Sequence, residues 1–321
     1  HLTTSKYYVF SAPKKESVMP PTVRRPSPPK KQPESPKAVS ALPNPFSDST
    51  TDIKQEGKFI LIYSPPGEGK TTLAAQFPDP LFIITHGETG IHSAKRKAVA
   101  DKKIPVIELE PLYAQNEIPV GKGHPGWDKC ISNVEQFAKG KHDRRTLVLD
   151  TTSGLESLCF QHCASLQFDG DMQSRAQDCW NHYAAGPRKA AESYWQGELL
   201  TQCINAVGNG LNVVMLGHSA LRLQANPNGP DYNVYSPELQ NKILIYTNKV
   251  LHHLWFMGRY QEFVTDKGTR KRTVANSERF IGVQSETWYQ AKNWDNIQDP
   301  IMCGGSAAET FAAINSVIPI D

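Results

Sequence analysis

Apolar positions in this chain gather in short runs separated by longer mixed stretches. Residues 58–63 (KFILIY), 81–85, 104–109, 146–150 and 211–217 are such runs. Each is short and rich in aliphatic side chains, the pattern of a strand buried on both faces. Between them, residues 127–139 and 188–207 space their apolar residues as amphipathic helices do. Strands alternating with helices predict an α/β fold with a mostly parallel central sheet and helices on both faces. Residues 259–284 read instead as antiparallel strands, with Asp266-Lys267-Gly268-Thr269 as the hairpin turn. Residues 226–238 are rich in Pro, Gly and Asn and are predicted to be a loop.

The first fifty residues break this pattern. They hold 10 of the 24 prolines, with eight basic residues against three acids, a net +5. The whole chain of 321 residues is net +3, so the remainder is net −2. Repeated prolines remove backbone donors and forbid helix, and such a segment buries too little apolar area to offset its ordering entropy. Residues 1–54 are therefore expected to be a Pro-rich, basic, disordered tail or linker, and residues 55–321 a single domain. The tail reads as a solvated spacer, with a phosphate- or partner-binding arm as the sharper alternative. The composition excludes collagen-like, coiled-coil and wholly disordered chains, and six cysteines do not make a disulfide-dense scaffold. No apolar run approaches ~18 residues, so no membrane-spanning helix is expected. The sequence opens on His1 without a charged and then apolar leader. It reads as a piece of a longer chain, with a cytoplasmic location expected.

Residues 64–71 read Ser64-Pro65-Pro66-Gly67-Glu68-Gly69-Lys70-Thr71, between the strand 58–63 and the helical Thr72-Leu73-Ala74-Ala75-Gln76-Phe77. Strand, glycine-containing loop, Lys-Thr and helix is the context that a phosphate-binding P-loop requires. Gly67 and Gly69 let backbone amides turn inward on phosphates, and the helix start adds partial positive charge. Pro66 to Thr72 are thus the predicted nucleotide-binding residues, with Lys70 on the β- and γ-phosphates and the Thr71 hydroxyl on magnesium. The usual pattern begins with Gly, and Ser64 stands in that place.

Three more residues complete the expected chemistry. Asp150 ends the run 146–150, at the strand edge where open α/β sheets bind ligands, and is expected to share the magnesium with Thr71. Glu88 follows the run 81–85 and is the candidate for orienting or deprotonating an attacking water. His218 ends the run 211–217 and is the candidate sensor of the γ-phosphate. Beyond the nucleotide, Tyr232 and Tyr235 are candidates for stacking on bases. Arg270, Lys271 and Arg272 are candidates for contacting DNA phosphates or a neighbour's nucleotide. Cys159, Cys163, Cys179 and His182 have spacings a zinc site can use, though buried cysteines more often serve as small core residues.

The order of these motifs resembles a RecA-like P-loop ATPase, and more specifically the phage-encoded proteins related to Sak-type single-strand annealing recombinases. The resemblance covers about residues 55–302. Besides the P-loop, the Leu-Val-Leu-Asp ending at Asp150 and the Gly217-His218-Ser219 strand end, it draws on Trp180-Asn181-His182-Tyr183-Ala184-Ala185-Gly186. It also draws on Ser236-Pro237-Glu238-Leu239, Glu278-Arg279-Phe280 and Ala291-Lys292-Asn293. It implies a RecA-like core that binds ATP and Mg2+ and hydrolyses ATP, with stimulation by single-stranded DNA, in phage recombination, annealing or replication. A homo-oligomeric ring or filament and a host-cell cytoplasmic location follow from the same resemblance. The rival expectation is a nucleotide-binding scaffold with weak hydrolysis, whose basic tail recruits a replication or recombination partner.

Overall fold

A β-strand turns successive side chains to opposite faces, and the central strands here bury both. The computed structural model describes residues 56–88, 104–227, 229–265 and 271–320; of 261–265 and 271–277 only the backbone is described. Strand β1 (Phe59–Ser64) sends Phe59, Leu61 and Tyr63 into one core and Ile60 and Ile62 into the other. Strands β2 (Pro80–Ile84), β3 (Val106–Glu108), β4 (Thr146–Asp150) and β5 (Asn212–Gln224) join it. In β4 the alternation repeats, with Leu147 and Leu149 on the first face and Val148 on the second.

Helix α1 (Lys70–Ala74) follows β1 and packs on the second face, together with the C-terminal helix α6 (Ala307–Val317). The first face carries α2 (Pro125–Ala138), α3 (Thr152–Gln167), α5 (Asn241–Val250) and a long composite helix, α4. The last runs through Ala185–Lys189, a wide π-helical stretch Ala190–Leu200 and Thr201–Gly208. Trp127 of α2 and Trp195 of α4 stack in that face with centroids 6.4 Å apart. The polar end of Trp195 is satisfied by Thr247, whose Oγ1 accepts its indole N–H at 2.9 Å.

The sheet order is β3-β2-β4-β5-β1-β7-β8-β9, where β7 is His253–Thr265, β8 Lys271–Gly282 and β9 Ile301–Met302. Pairings from β3 to β7 are parallel, and β8 and β9 add antiparallel strands at the C-terminal edge. The fold is thus the expected α/β arrangement of a mostly parallel central sheet with helices on both faces, with its antiparallel region where residues 259–284 predicted it. All described residues belong to one unit, Lys54–Asp321. The Pro-rich tail 1–54, the turn 266–269 and Arg270 lie outside the described residues.

One expectation needs correcting. Residues 226–238 are not loop throughout, because Tyr232–Pro237 forms strand β6, antiparallel to the far half of β5 from Ser219↔Pro237 to Gln224↔Tyr232. The Pro, Gly and Asn that signal a loop sit at its start. The run Tyr232-Asn233-Val234-Tyr235-Ser236 carries aromatic and β-branched residues suited to a half-buried strand, and Val234 and Ser236 are buried.

Candidate nucleotide site

Parallel strands in an α/β sheet point their C-terminal ends to one edge, so residues far apart in sequence meet there. The register sets Ser64 at the end of β1 beside His218 in β5. It also sets Asp150 beside Leu216 on one side and Ile84 on the other. The P-loop, Glu88, Asp150, Thr151 and His218 therefore line one cleft of about 780 Å3, a size suited to a cofactor-sized ligand.

Gly67 and Gly69 take φ of +84° and +96°, a region that side chains with a Cβ avoid. Gly69 caps α1 in that left-handed conformation, turning the loop directly into the helix. Lys70 is buried, and its Nζ donates to Ser64 Oγ at 2.8 Å and to the Ser64 carbonyl at 3.3 Å. Ser64 thus does more than allow the turn: its hydroxyl holds the P-loop lysine. Burial lowers the Lys70 ammonium from its ordinary range, while Asp150, Glu88 and Glu68 pull the other way.

Thr71 Oγ1 donates to Asp150 Oδ2 at 2.9 Å, joining α1 to the end of β4. Burial, with a smaller contribution from the nearby charge of Glu88, pushes the Asp150 carboxyl up to about 6, against the Thr71 hydrogen bond and Lys70. Thr71 and Asp150 offer hard oxygen donors from two elements. Among the described residues no three His, Cys, Asp or Glu side chains gather as a metal site. That oxygen pair fits magnesium held by one or two protein oxygens with phosphate and water as its other ligands. Glu88 Oε1 accepts from Thr151 Oγ1 at 3.2 Å, which holds its carboxylate beside Asp150 at the cleft. His218 reaches the same cleft, and among the described residues its buried Nδ1 has no hydrogen-bond partner.

Other predicted residues lie elsewhere. Tyr232 is 40% exposed on β6, whereas the Tyr235 ring stacks on Phe256 with centroids 5.5 Å apart. Lys271 and Arg272 open strand β8. The four candidate zinc ligands are not gathered by the structure. Cys159 and Cys163 are buried in the first core, where their thiols point to the carbonyls of Ala190 and Gly186. Burial pushes the Cys163 thiol up to about 12, which opposes the thiolate that zinc needs.

The sequence reading missed the far wall of the cleft, made by Met257, Arg279 and residues 305–308 with Thr310. Arg259 Nε donates to both carboxylate oxygens of Glu68, at 3.1 and 3.0 Å, and Arg279 Nη1 donates to the Glu68 carbonyl at 3.2 Å. Glu278-Arg279-Phe280 was visible as a motif, but strand pairing alone sets Arg279 opposite Arg259, above the P-loop.

A search of curated proteins found no significant match. Among solved structures, the chain is similar to the flagellar accessory protein FlaH from Methanocaldococcus jannaschii, at 12% identity and a TM-score of 0.38. That likeness covers 78% of this chain and 85% of FlaH. The family AAA_24, described as an AAA domain, matches residues 56–293, which span the P-loop, Glu88, Asp150, His218 and Arg279, and the chain belongs to that family.

Proposed function

We propose that this protein hydrolyses ATP in the cleft above β1 and β4 and couples that cycle to single-stranded DNA, in recombination, annealing or replication. The observation that carries the nucleotide part is the convergence of Lys70, the Thr71–Asp150 pair and Glu88 on one P-loop cleft. The backbone amides of residues 67–71 and Lys70 hold the phosphates. Thr71 and Asp150 would hold magnesium, which when bound neutralises phosphate charge and polarises the γ-phosphoryl group. Glu88 orients a water whose oxygen bonds to the γ-phosphorus as the bridging P–O bond breaks. ADP keeps that electron pair, and the water's proton passes through Glu88 to solvent, giving ADP, phosphate and H+.

The DNA part rests on the family resemblance and on the placement of the β5–β6 arm. That arm continues directly from His218, so a γ-phosphate sensor and the arm share one strand. Tyr232, Leu221 and Leu223 are exposed along it, which suits base stacking. Arg270, Lys271 and Arg272 and the net +5 tail would supply phosphate contacts. ATP turnover by the full chain, measured with and without single-stranded DNA, tests both parts. Turnover that rises with DNA supports the proposal. Nucleotide binding with slow turnover indifferent to DNA favours the scaffold reading, in which the tail recruits a partner.

A further inference from the structure

We infer that Arg279 is a second phosphate-binding cation of this cleft, acting on the nucleotide held by its own chain. The inference rests on the nucleotide reading above and adds a residue from outside the P-loop.

Antiparallel pairing of β7 with β8 sets Arg259 opposite Arg279, and β7 lies directly beside β1. Both guanidinium groups consequently reach the apex of the P-loop, but they are used differently. Arg259 is neutralised, because its Nε lies 3.0 Å from the Glu68 carboxylate in an ion pair. Among the described residues no carboxylate forms an ion pair with Arg279, and its Nη1 rests on the neutral carbonyl oxygen of Glu68. A methyl group built on Gly69 would sit 3.4 Å from that Nη1, so the guanidinium lies against the narrow part of the loop. Arg279 also lines the same cleft as Lys70, Thr71 and Asp150.

Lys70 is placed in the same way. Its Nζ rests on Ser64 and on the Pro65 carbonyl rather than on a carboxylate. Two cations are thus parked on uncharged oxygens of one anion-binding loop. Each exchanges a neutral acceptor for a phosphate oxygen when a nucleotide enters, which gives a shorter and stronger charge-assisted bond. Arg279 has further N–H donors in a fixed planar fork, matched to two phosphate oxygens at once. The acids Glu88 and Asp150 at the cleft make a second cation the more useful, since Lys70 alone offsets only part of the charge that a triphosphate adds. Arg259, holding Glu68, acts as a positioning residue for the loop that Arg279 touches.

The experiment uses the full chain and the variants Arg279→Ala, Arg279→Lys and Lys70→Ala. It measures binding of fluorescent ATP and ADP analogues, steady-state ATP turnover and thermal unfolding. Arg279→Ala should weaken triphosphate binding by about tenfold or more and turnover by about a hundredfold, with an unchanged melting temperature. Arg279→Lys should recover part of the loss and serves in place of the alanine variant if that one does not fold. Mixing Arg279→Ala with Lys70→Ala should restore no turnover, because each nucleotide needs both residues from one chain. Wild-type affinity and turnover in Arg279→Ala would overturn the inference while leaving the nucleotide reading intact. Restored turnover in the mixture would overturn the assignment to its own chain and make Arg279 a neighbour's ligand. A wild-type protein that neither binds nor turns over ATP, indistinguishable from Lys70→Ala, would overturn the nucleotide reading and this inference with it.

Discussion

Ser64 Oγ accepts a hydrogen bond from Lys70 Nζ at 2.8 Å, in the place where a P-loop usually begins with glycine. The buried lysine is held by its own loop, and this bond competes with phosphate for the Lys70 ammonium. Ser64→Ala should therefore tighten ATP binding by up to about tenfold, since a hydrogen bond to a charged group contributes about 1.5–3 kcal/mol and two carbonyl partners remain. It should also lower the melting temperature slightly. Weaker ATP binding in Ser64→Ala, measured by titration calorimetry, would show that Ser64 supports the nucleotide-bound loop instead.

Lys70→Ala should abolish ATP binding, because phosphate charge loses its partner in a cradle poor in water. Glu88→Gln should bind ATP as the wild type does and lose turnover by about 10²–10⁴-fold, the usual share of a general base. Binding assays beside turnover assays separate the two roles. Loss of both properties in Glu88→Gln would reassign Glu88 to holding Thr151.

The Thr71–Asp150 contact predicts a magnesium signature. Thr71→Ala and Asp150→Asn should each raise the magnesium concentration needed for half-maximal turnover, with ATP binding in EDTA altered far less. An unchanged magnesium requirement would exclude these two oxygens as the ligand pair.

Glu156 supplies a pH test away from the chemistry. Its Oε1 accepts from the Gln240 backbone N–H at 2.5 Å, and burial pushes its carboxyl up to about 7. The folded state therefore keeps this proton where the unfolded chain, with an ordinary carboxyl near 4.5, has lost it. Stability falls as pH rises from about 4.5 to about 7, and the cost of the buried charge is fully present above that window. Glu156→Gln keeps the acceptor without the charge. It should match the wild type near pH 4.5 and exceed it above pH 7, by on the order of 2 kcal/mol. Chemical denaturation at several pH values checks this, and a constant difference across the range would rule out Glu156 as the titrating group.

The tail and the folded domain carry opposite net charge, +5 against −2. Deleting residues 1–50 should weaken single-stranded DNA binding and flatten its dependence on salt, because fewer phosphates are neutralised and fewer counterions released. Turnover without DNA should not change, since every residue that lines the cleft, from Pro66 to Thr310, lies outside the tail. Equal affinity and equal salt slope in both forms would make the tail a linker or protein-docking arm.

The parts whose signal is local are legible in the order of residues alone. Runs such as residues 58–63 and 146–150 are apolar at every position because parallel strands are buried on both faces. The Gly67-Glu68-Gly69-Lys70-Thr71 loop is legible because each residue type serves a backbone turn or a phosphate contact within a few residues. Glu88 and Asp150 were recognisable for a related reason: each directly follows or ends a strand, and all parallel strands end at one edge. Whatever depends on pairing between distant segments was settled only by the folded chain. Tyr232–Pro237 became a strand only because β5 extends far enough to accept it, so the loop residues before it misled the local reading. Arg279 entered the cleft through its register with Arg259, and Arg259 reached the Glu68 carboxylate because β7 lies beside β1. Likewise, Cys159 and Cys163 turned into the core because α3 packs against α4. A charge or a thiol has the same local sequence signature wherever it ends up, and its role depends on which groups the completed sheet and helices bring within a few ångströms of it.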